Sequence, residues 1–254
     1  MPKRASGDSI WLRPQPGERQ GRLTRETISA AALSIADSEG FEAVSMRRIA
    51  ARLGASTMSL YYYVRTKADL VALMDDALLG EILVPEGQLP RGWREAISAI
   101  ARRTRDVFTR HPWALLSMQG APPGPNAMRH FEQSLEALEN APMSLEGKLA
   151  FLQLVDDFVF GHSLRTAEVR SLSGRDSHLT RSAEALGEEL FKTGAFPRTA
   201  ALFARANSRD AARHRQLLTA DRFEEALAAV IDGATQRLSQ ATRRARRPTP
   251  RRGR

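Results

Sequence analysis

The side chains best suited to binding chemistry in this sequence lie close together between residues 56 and 67. Ser56, Thr57 and Ser59 are small polar residues, and three consecutive tyrosines and Lys67 follow them. Small hydroxyl side chains can approach the edges of nucleic-acid bases, while tyrosine hydroxyls and lysine can bind phosphate groups. The segment therefore predicts contact with nucleic acid.

Two short helices separated by a glycine are predicted to position these side chains. Ser45 is a suitable N-cap for the first helix, whose apolar residues Ile49 and Leu53 fall on one face. Gly54 supplies the backbone freedom that a tight turn between two helices requires. The second helix begins directly after this turn and ends near Tyr63. This arrangement is the helix-turn-helix pattern.

A further helix is predicted to begin beside the tyrosines. Thr66 and Asp69 have the spacing of a capping box, with Asp in place of the commoner Glu. Lys67 adds a full charge near the free amides of that helix N-terminus, and both features favour a phosphate. The three tyrosines cannot all face one way on a helix, so we expect one in the core and the others pointing toward the DNA backbone.

The same segment resembles the DNA-binding domain of TetR-type transcriptional repressors. The residues that carry the resemblance are Leu53, Gly54, Leu60, Tyr61, Tyr63, Lys67 and Leu70. It implies an all-α protein with a helix-turn-helix DNA-binding domain over residues 22–84. A helical ligand-binding and dimerisation domain is then expected over residues 91–240.

The resemblance also implies roles for individual residues. Arg47 occupies a position that can reach a guanine in tetracycline-repressor-like members. Thr57 and Met58 cannot form the bidentate hydrogen bonds typical of Arg–guanine or Gln–adenine pairs, so the operator sequence is not predicted. The expected DNA-binding residues are Arg22, Arg47, Ser56, Thr57, Met58, Ser59, Tyr61, Tyr62, Tyr63 and Lys67.

Positive charge is concentrated at the two ends of the chain. The net charge is +9, and residues 241–254 contain seven arginines and no acidic residue. Residues 1–21 are rich in Pro, Gly, Arg and Ser, which predicts a flexible basic arm. Arg19, Arg22 and Arg25 could enter the minor groove, although a disordered leader is an equally good interpretation. The tail over residues 241–254 is predicted to be disordered, because a run of like charges usually stays solvated.

The composition limits the class of protein. The chain has 254 residues, of which 42% are hydrophobic, so it can bury a core of one large or two ordinary domains. It contains no cysteine, which excludes disulfides and cysteine-based zinc sites and is consistent with the cytoplasm. No apolar run approaches about 18 residues, so no membrane span is predicted.

Helical periodicity continues beyond the tyrosines, with a polar loop predicted at residues 171–180. The segments at 145–170 and 221–238 are the most apolar, and the resemblance implies that they form a four-helix dimer interface with a second subunit. The predicted helices are 24–40, 67–83, 93–109, 113–119, 127–140, 145–170, 182–193, 200–218 and 221–238.

The resemblance implies a small-molecule cavity among the C-terminal helices. Gly161 interrupts the most apolar helix next to a histidine, which predicts close packing or a cavity wall. The candidate ligand-binding residues are His111, Trp113, Met118, Phe131, Phe158 and His162. Each one alone suits a core position at least as well.

Two functions from different classes fit these observations. The first is a ligand-responsive repressor that binds a palindromic operator as a homodimer and is released by a small-molecule effector. The second is a non-specific or architectural nucleic-acid-binding protein that uses its arginine-rich ends. The sequence lacks the nucleophile-elbow, phosphate-loop and HExxH patterns, so no catalytic residue, metal site or cofactor is predicted.

Overall fold

The computed structural model describes residues 9–14, 23–117, 120, 122–175, 177–206 and 222–245. Across these ranges the chain is helical and contains no strand, which confirms the all-α prediction. Short 3-10 helices lie on either side of the first α-helix, at Ile10–Leu12 and Phe41–Ala43. The α-helices are α1 (Arg25–Glu39), α2 (Met46–Leu53), α3 (Thr57–Tyr61), α4 (Lys67–Ile82), α5 (Trp93–Arg110), α6 (Ala114–Ser117), α7 (Pro125–Ala137), α8 (Leu145–Arg175), α9 (Ser177–Lys192), α10 (Pro197–Ala206) and α11 (Phe223–Ala245).

The first four helices enclose a small apolar core. Ile28 of α1, Ile49 of α2 and Leu60 of α3 are fully buried there, together with Met74 of α4. Thr24 begins α1 with a reciprocal capping box, in which its hydroxyl accepts from the amide of Thr27 at 3.1 Å. Burial of these side chains supplies most of the driving force that holds the short helices α2 and α3 in place.

Helix α4 also packs against the C-terminal helices α5 and α7. Arg103 of α5 donates to the carbonyl oxygens of Glu81 and Ile82, both at 2.8 Å, and so satisfies free carbonyls at the end of α4. The side-chain amide of Gln133 exchanges two hydrogen bonds with the backbone of Val84. The C-terminal end of α4 and the residues that follow it are therefore bound to both α5 and α7.

A side chain of α4 caps the start of α7. The carboxylate of Asp76 accepts from the amides of Asn126 and Ala127 at 2.8 and 3.2 Å. Pro125 occupies the first turn of α7, where a missing N–H costs nothing. Gly124 is required before it, because a Cβ there would clash with Asp76 and with the ring of Trp11.

The segment at residues 9–14 is packed onto the helices, which corrects the prediction of a flexible arm for this part. Ile10 is 1% exposed and belongs to the core formed with α1 and α4. The indole N–H of Trp11 donates to the carbonyl oxygen of Pro122 at 3.3 Å. Arg13 forms a buried ion pair with Asp69 at 2.6 Å. The remainder of the predicted arm lies outside the described residues.

The chain divides into two compact units, residues 1–164 with 230–254 and residues 165–229. The first unit contains α1 to α7 and most of α8, whereas α9 and α10 pack together within the second unit. Across the described residues, no helix is both long and apolar enough to cross a membrane. The domain limits expected from the sequence remain a prediction.

Two loop and tail predictions are wrong. Helix α8 continues to Arg175 and α9 begins at Ser177, where a polar loop was expected at residues 171–180. Helix α11 continues to Ala245, so the predicted disordered tail does not begin at residue 241. A polar or arginine-rich helix carries little apolar periodicity, so this signal cannot distinguish it from a loop. Residues 246–254 lie outside the described part.

One acidic side chain of α4, that of Asp75, has a raised pKa. Burial, together with the neighbouring charge of Asp76, raises the pKa of Asp75 to about 6. The folded state therefore binds more protons than the unfolded state between about pH 4 and pH 6, and the free energy of unfolding falls as the pH rises through this window.

We expect the substitution Asp75→Asn to remove this pH dependence. At pH 8 the variant should be more stable than the parent by about 1–2 kcal/mol, after allowing for solvent screening at a partly exposed site, and the difference should vanish near pH 4. Urea unfolding at both pH values measures it. Asp106→Asn makes the same charge change at an exposed position and serves as the control. A stability difference that does not change with pH would contradict the assignment.

Candidate nucleic-acid interface

The turn between α2 and α3 is built by local capping interactions. Ser45 accepts from the amide of Arg48 at 3.4 Å to begin α2, and Gly54 ends this helix in the left-handed region with φ of 63°. Ser56 then accepts from the amide of Ser59 at 3.1 Å and begins α3. Because a residue with a Cβ is strained at this φ, Gly54 is the residue that allows the reversal. The predicted helix-turn-helix is confirmed.

Most of the predicted DNA-contacting side chains lie on one exposed stretch of the structure. Met58 and Tyr62 are 70% and 72% exposed, which is unusual for large apolar and aromatic side chains. The exposed members of the predicted set are Arg47, Ser56, Thr57, Met58, Tyr61, Tyr62 and Lys67. Neighbouring helices hold the short helix α3 in place. Its exposed side chains can therefore enter a groove of DNA while the core stays folded.

Tyr63 and Ser59 differ from the exposed members. Tyr63 is 8% exposed and contributes to the core beside Leu60, as expected for one of the three tyrosines. Ser59 is half-buried, with its hydroxyl 2.8 Å from that of Ser56. Contact of Tyr63 and Ser59 with DNA remains a prediction.

Asp69 fixes the N-terminus of α4 next to this surface. Its carboxylate accepts from the amides of Arg65 and Thr66 at 2.9 and 3.2 Å, and its own amide donates to the hydroxyl of Thr66. Burial alone would raise the pKa of Asp69, but the hydrogen bonds from Arg13 and from these amides outweigh it and lower the pKa. The predicted capping box is confirmed, and it leaves Lys67 exposed at the start of α4.

Of the three N-terminal arginines expected near the minor groove, Arg25 belongs to the described residues. Arg25 is 7% exposed and donates to the carbonyl oxygen of Arg13 at 3.1 Å, so it is not available to the minor groove. Its predicted role there is wrong, because the start of α1 directs it into the protein. Arg19 and Arg22 lie outside the described residues.

Two of the predicted ligand-binding residues instead connect the C-terminal helices to α1. His111 is 7% exposed, and its Nδ1 lies 2.7 Å from the carboxylate of Asp37. Trp113 donates its indole N–H to the same carboxylate at 2.8 Å and stacks on Phe41 with a centroid distance of 5.6 Å. Sequence reasoning missed Asp37, since nothing in its neighbourhood indicates a partner 74 residues away.

The other predicted ligand-binding residues are not part of this cluster. The ring centroids of Phe158 and His162, both on α8, lie 6.0 Å apart. Phe131 of α7 is 45% exposed. A Cβ at Gly161 would meet nothing within 4 Å in the single chain, so a role for that glycine in close packing or in a cavity wall remains a prediction. Met118 lies outside the described residues. Among the described side chains, no group of three or more His, Asp or Glu residues could hold a metal ion.

The chain matches two family models that together cover most of its length. Residues 28–74 match the model described as "Bacterial regulatory proteins, tetR family". Residues 86–238 match the model described as "Tetracyclin repressor-like, C-terminal domain". The first match contains the helix-turn-helix, and the second covers more than half of the chain.

Individual relatives and solved structures agree with these matches. The HTH-type transcriptional repressor DrrR1 of Streptomyces coeruleorubidus is 35% identical over 195 residues, which cover 75% of this chain and 72% of the relative. The tetracycline repressor protein class E of Escherichia coli is 28% identical, over 67% of this chain and 80% of the relative. Apo ActR from Streptomyces coelicolor has a TM-score of 0.65 at 29% identity, covering 87% of this chain and 98% of ActR. ActR in complex with actinorhodin has a TM-score of 0.64 at 29% identity, covering 86% of this chain and 98% of ActR.

The cluster at Asp37 provides a test of the contact between α1 and the C-terminal helices. The substitution Asp37→Ala removes the carboxylate that faces both His111 and Trp113. Loss of the partner of a buried polar group should lower the free energy of unfolding by about 1–3 kcal/mol, measured by urea denaturation. Glu42→Ala removes an exposed acidic side chain nearby and is the matched control. Equal stability of the two variants would show that the cluster contributes nothing.

Proposed function

The chain belongs to the tetR family of bacterial regulatory proteins, and from this membership we infer that it is a ligand-responsive, DNA-binding repressor of transcription. The observation that carries the inference is the exposed surface of α3, where the side chains of Met58 and Tyr62 point to solvent and do not pack in a core. We propose that this surface enters the major groove, with Arg47 and Thr57 near base edges and Tyr62 and Lys67 at phosphates.

We propose that the chain acts as a homodimer on a palindromic operator. A two-fold symmetric operator places two copies of α3 in successive major grooves, about 34 Å apart. Apolar side chains of α8 are exposed in the single chain, with Leu145 63%, Leu149 42% and Leu154 44% exposed. A partner subunit that packs against α8 would bury part of this apolar surface, which supports α8 as part of the interface, and we propose α11 as the second helix.

The effector is proposed to act by shifting the population between two arrangements of the DNA-binding helices. A small molecule releases the operator only if it binds more tightly to the arrangement that does not fit DNA. We propose that it binds among the C-terminal helices, near Phe131, Phe158 and His162, and that α4 carries the change. His111 and Trp113 contact α1 directly and are proposed to take part in the same coupling. No catalytic step or cofactor is included in this mechanism, and we propose that the protein acts in the cytoplasm, where operator DNA is located.

Lys67 provides a direct test of the phosphate contacts. We expect Lys67→Gln to weaken binding to specific and non-specific DNA alike and to reduce the slope of log affinity against log salt by about one. Fluorescence anisotropy at several salt concentrations measures both quantities. Lys192→Gln is the matched control, because this lysine is exposed on α9 and pairs with Glu189. An unchanged salt slope for Lys67→Gln would exclude the proposed contact.

The architectural alternative can be separated from the repressor by truncation. Removing residues 246–254 deletes five arginines beyond the end of α11. A repressor should keep its discrimination between operator and random DNA and lose only salt-dependent affinity. Loss of all binding would favour a protein that depends on its arginine-rich ends.

The dimer is tested by placing a charge in the proposed interface. Leu154→Arg should convert the dimer to a monomer at micromolar concentration and weaken operator binding by at least about tenfold, because each half-site alone binds poorly. Light scattering coupled to gel filtration gives the mass. Leu116→Arg changes an apolar side chain that is 72% exposed on α6 and should leave the dimer intact. A dimer that tolerates Leu154→Arg would place the interface elsewhere.

A further inference from the structure

A cavity of about 700 Å³ lies between the N-terminal segment at residues 9–14 and the helices α1, α4 and α7. It lies on the α1 side of α4, and none of the ligand-binding candidates identified from the sequence lines it. The polar side chains that line it include Arg13, Arg25, Asp76, Asn126 and Arg129. The cavity therefore lies between the DNA-binding helices and the start of α7.

Two buried guanidinium groups face this cavity with hydrogen-bonding capacity left over. Arg25 is 7% exposed, and although its Nη2 donates to the backbone of Arg13, its Nε has no hydrogen-bond partner among the described residues. Arg13 pairs with Asp69 through Nη2, and its Nε is likewise buried without a hydrogen-bond partner in the described structure. A buried N–H without an acceptor is costly and rare, and arginine cannot lose its proton to avoid the cost.

The two arginines share their surroundings with the carboxylates of Asp69 and Glu26. Burial and then the proximity of Arg13 lower the pKa of Arg25, and the carboxylates of Asp69 and Glu26 offset only part of this effect. Asp69 is the carboxylate paired with Arg13, and it is already occupied by the amides that begin α4. An additional anion between the two guanidinium groups would relieve both the repulsion and the missing hydrogen bonds.

The acidic side chains that line the cavity do not hydrogen-bond the Nε atoms of Arg13 and Arg25. Asp76 accepts from the amides at the start of α7, and Glu81 forms an ion pair with Arg110. Glu26 is exposed to solvent, and its charge raises the pKa of Arg25 without a hydrogen bond to the Nε of that side chain. Arg129 donates to the side chain of Asn126 at 2.9 Å.

Apolar and aromatic side chains also line the cavity, together with the hydroxyl of Ser29. Ala30 and Leu33 of α1 face the cavity together with Leu73 and Ala77 of α4, and Trp11 adds an indole ring. The ring of Trp11 is held in place by its hydrogen bond to Pro122. The wall is therefore about equally polar and apolar, and it combines apolar surface with a few converging donors, as a site for a small amphiphilic molecule requires.

We propose that this cavity is a binding site for a small aromatic carboxylic acid, separate from an effector site among the C-terminal helices. Its carboxylate accepts hydrogen bonds from Arg13 and Arg25, and its ring lies against Trp11 and the apolar side chains of α1 and α4. The ligand touches residues 9–14, α1, α4 and α7 at once, so its binding adds to the contacts that fix α4 relative to α7.

Calorimetric titration of the full-length protein in the absence of DNA tests the site independently of repressor function. The probes are 1-naphthoate and its neutral counterpart 1-naphthamide, which has nearly the same shape. We expect one naphthoate per chain, bound at least about tenfold more tightly than naphthamide, because charge-assisted hydrogen bonds require the anion. No detectable heat with naphthoate, or equal affinity for both probes, would overturn the proposal.

Two variants locate the bound probe. Arg25→Gln should weaken naphthoate by at least about tenfold through loss of the cationic donor. Ala30→Met fills the cavity from α1 without removing a polar group and should abolish binding, which keeps the test valid if Arg25→Gln fails to fold. Ser38→Met, on the exposed end of the same helix, should bind like the parent. Naphthoate binding that survives Ala30→Met would place the probe at another site and contradict the proposal.

Discussion

Helix α4 has to bury one set of side chains in the DNA-binding core and another against the C-terminal helices, and the rest of the structure depends on this shared burial. Met74 and Ile82 are 0% and 3% exposed. The two ends of the helix are fixed by charged groups, with Asp69 paired to Arg13 at the start and Arg103 bound to the last carbonyl groups. A rotation of α4 would break polar contacts at both ends. We therefore expect α4 to occupy a small number of distinct positions and not a continuous range of them.

The same arrangement explains how a distant ligand can influence DNA binding. The α5–α6 connection touches α1 through His111 and Trp113, and both share the carboxylate of Asp37. The N-terminal segment touches α4 and the loop before α7 through Arg13 and Trp11. A ligand that binds differently in the two arrangements acts on α4 and on these contacts together, which gives the coupling a physical route.

Short-range interactions made much of the fold and interface predictable from the sequence. The caps at Ser45 and Thr66 and the turn at Gly54 depend on residues within four positions, so their chemistry is visible in the chain itself. The packing of residues 9–14 was not predictable, because the partners of Trp11 and Arg13 are 111 and 56 residues away. The polar helix around residue 175 was missed for a different reason, since helical periodicity is detected only where one face is apolar.

The exposed surface of α3 is proposed to bind a specific, two-fold symmetric operator. The most direct test is to select bound fragments of genomic DNA with the purified protein at about 150 mM salt, near physiological ionic strength, and to sequence them. We expect enrichment of one inverted repeat whose half-sites lie about one helical turn apart. Tight binding without any enriched sequence would contradict it.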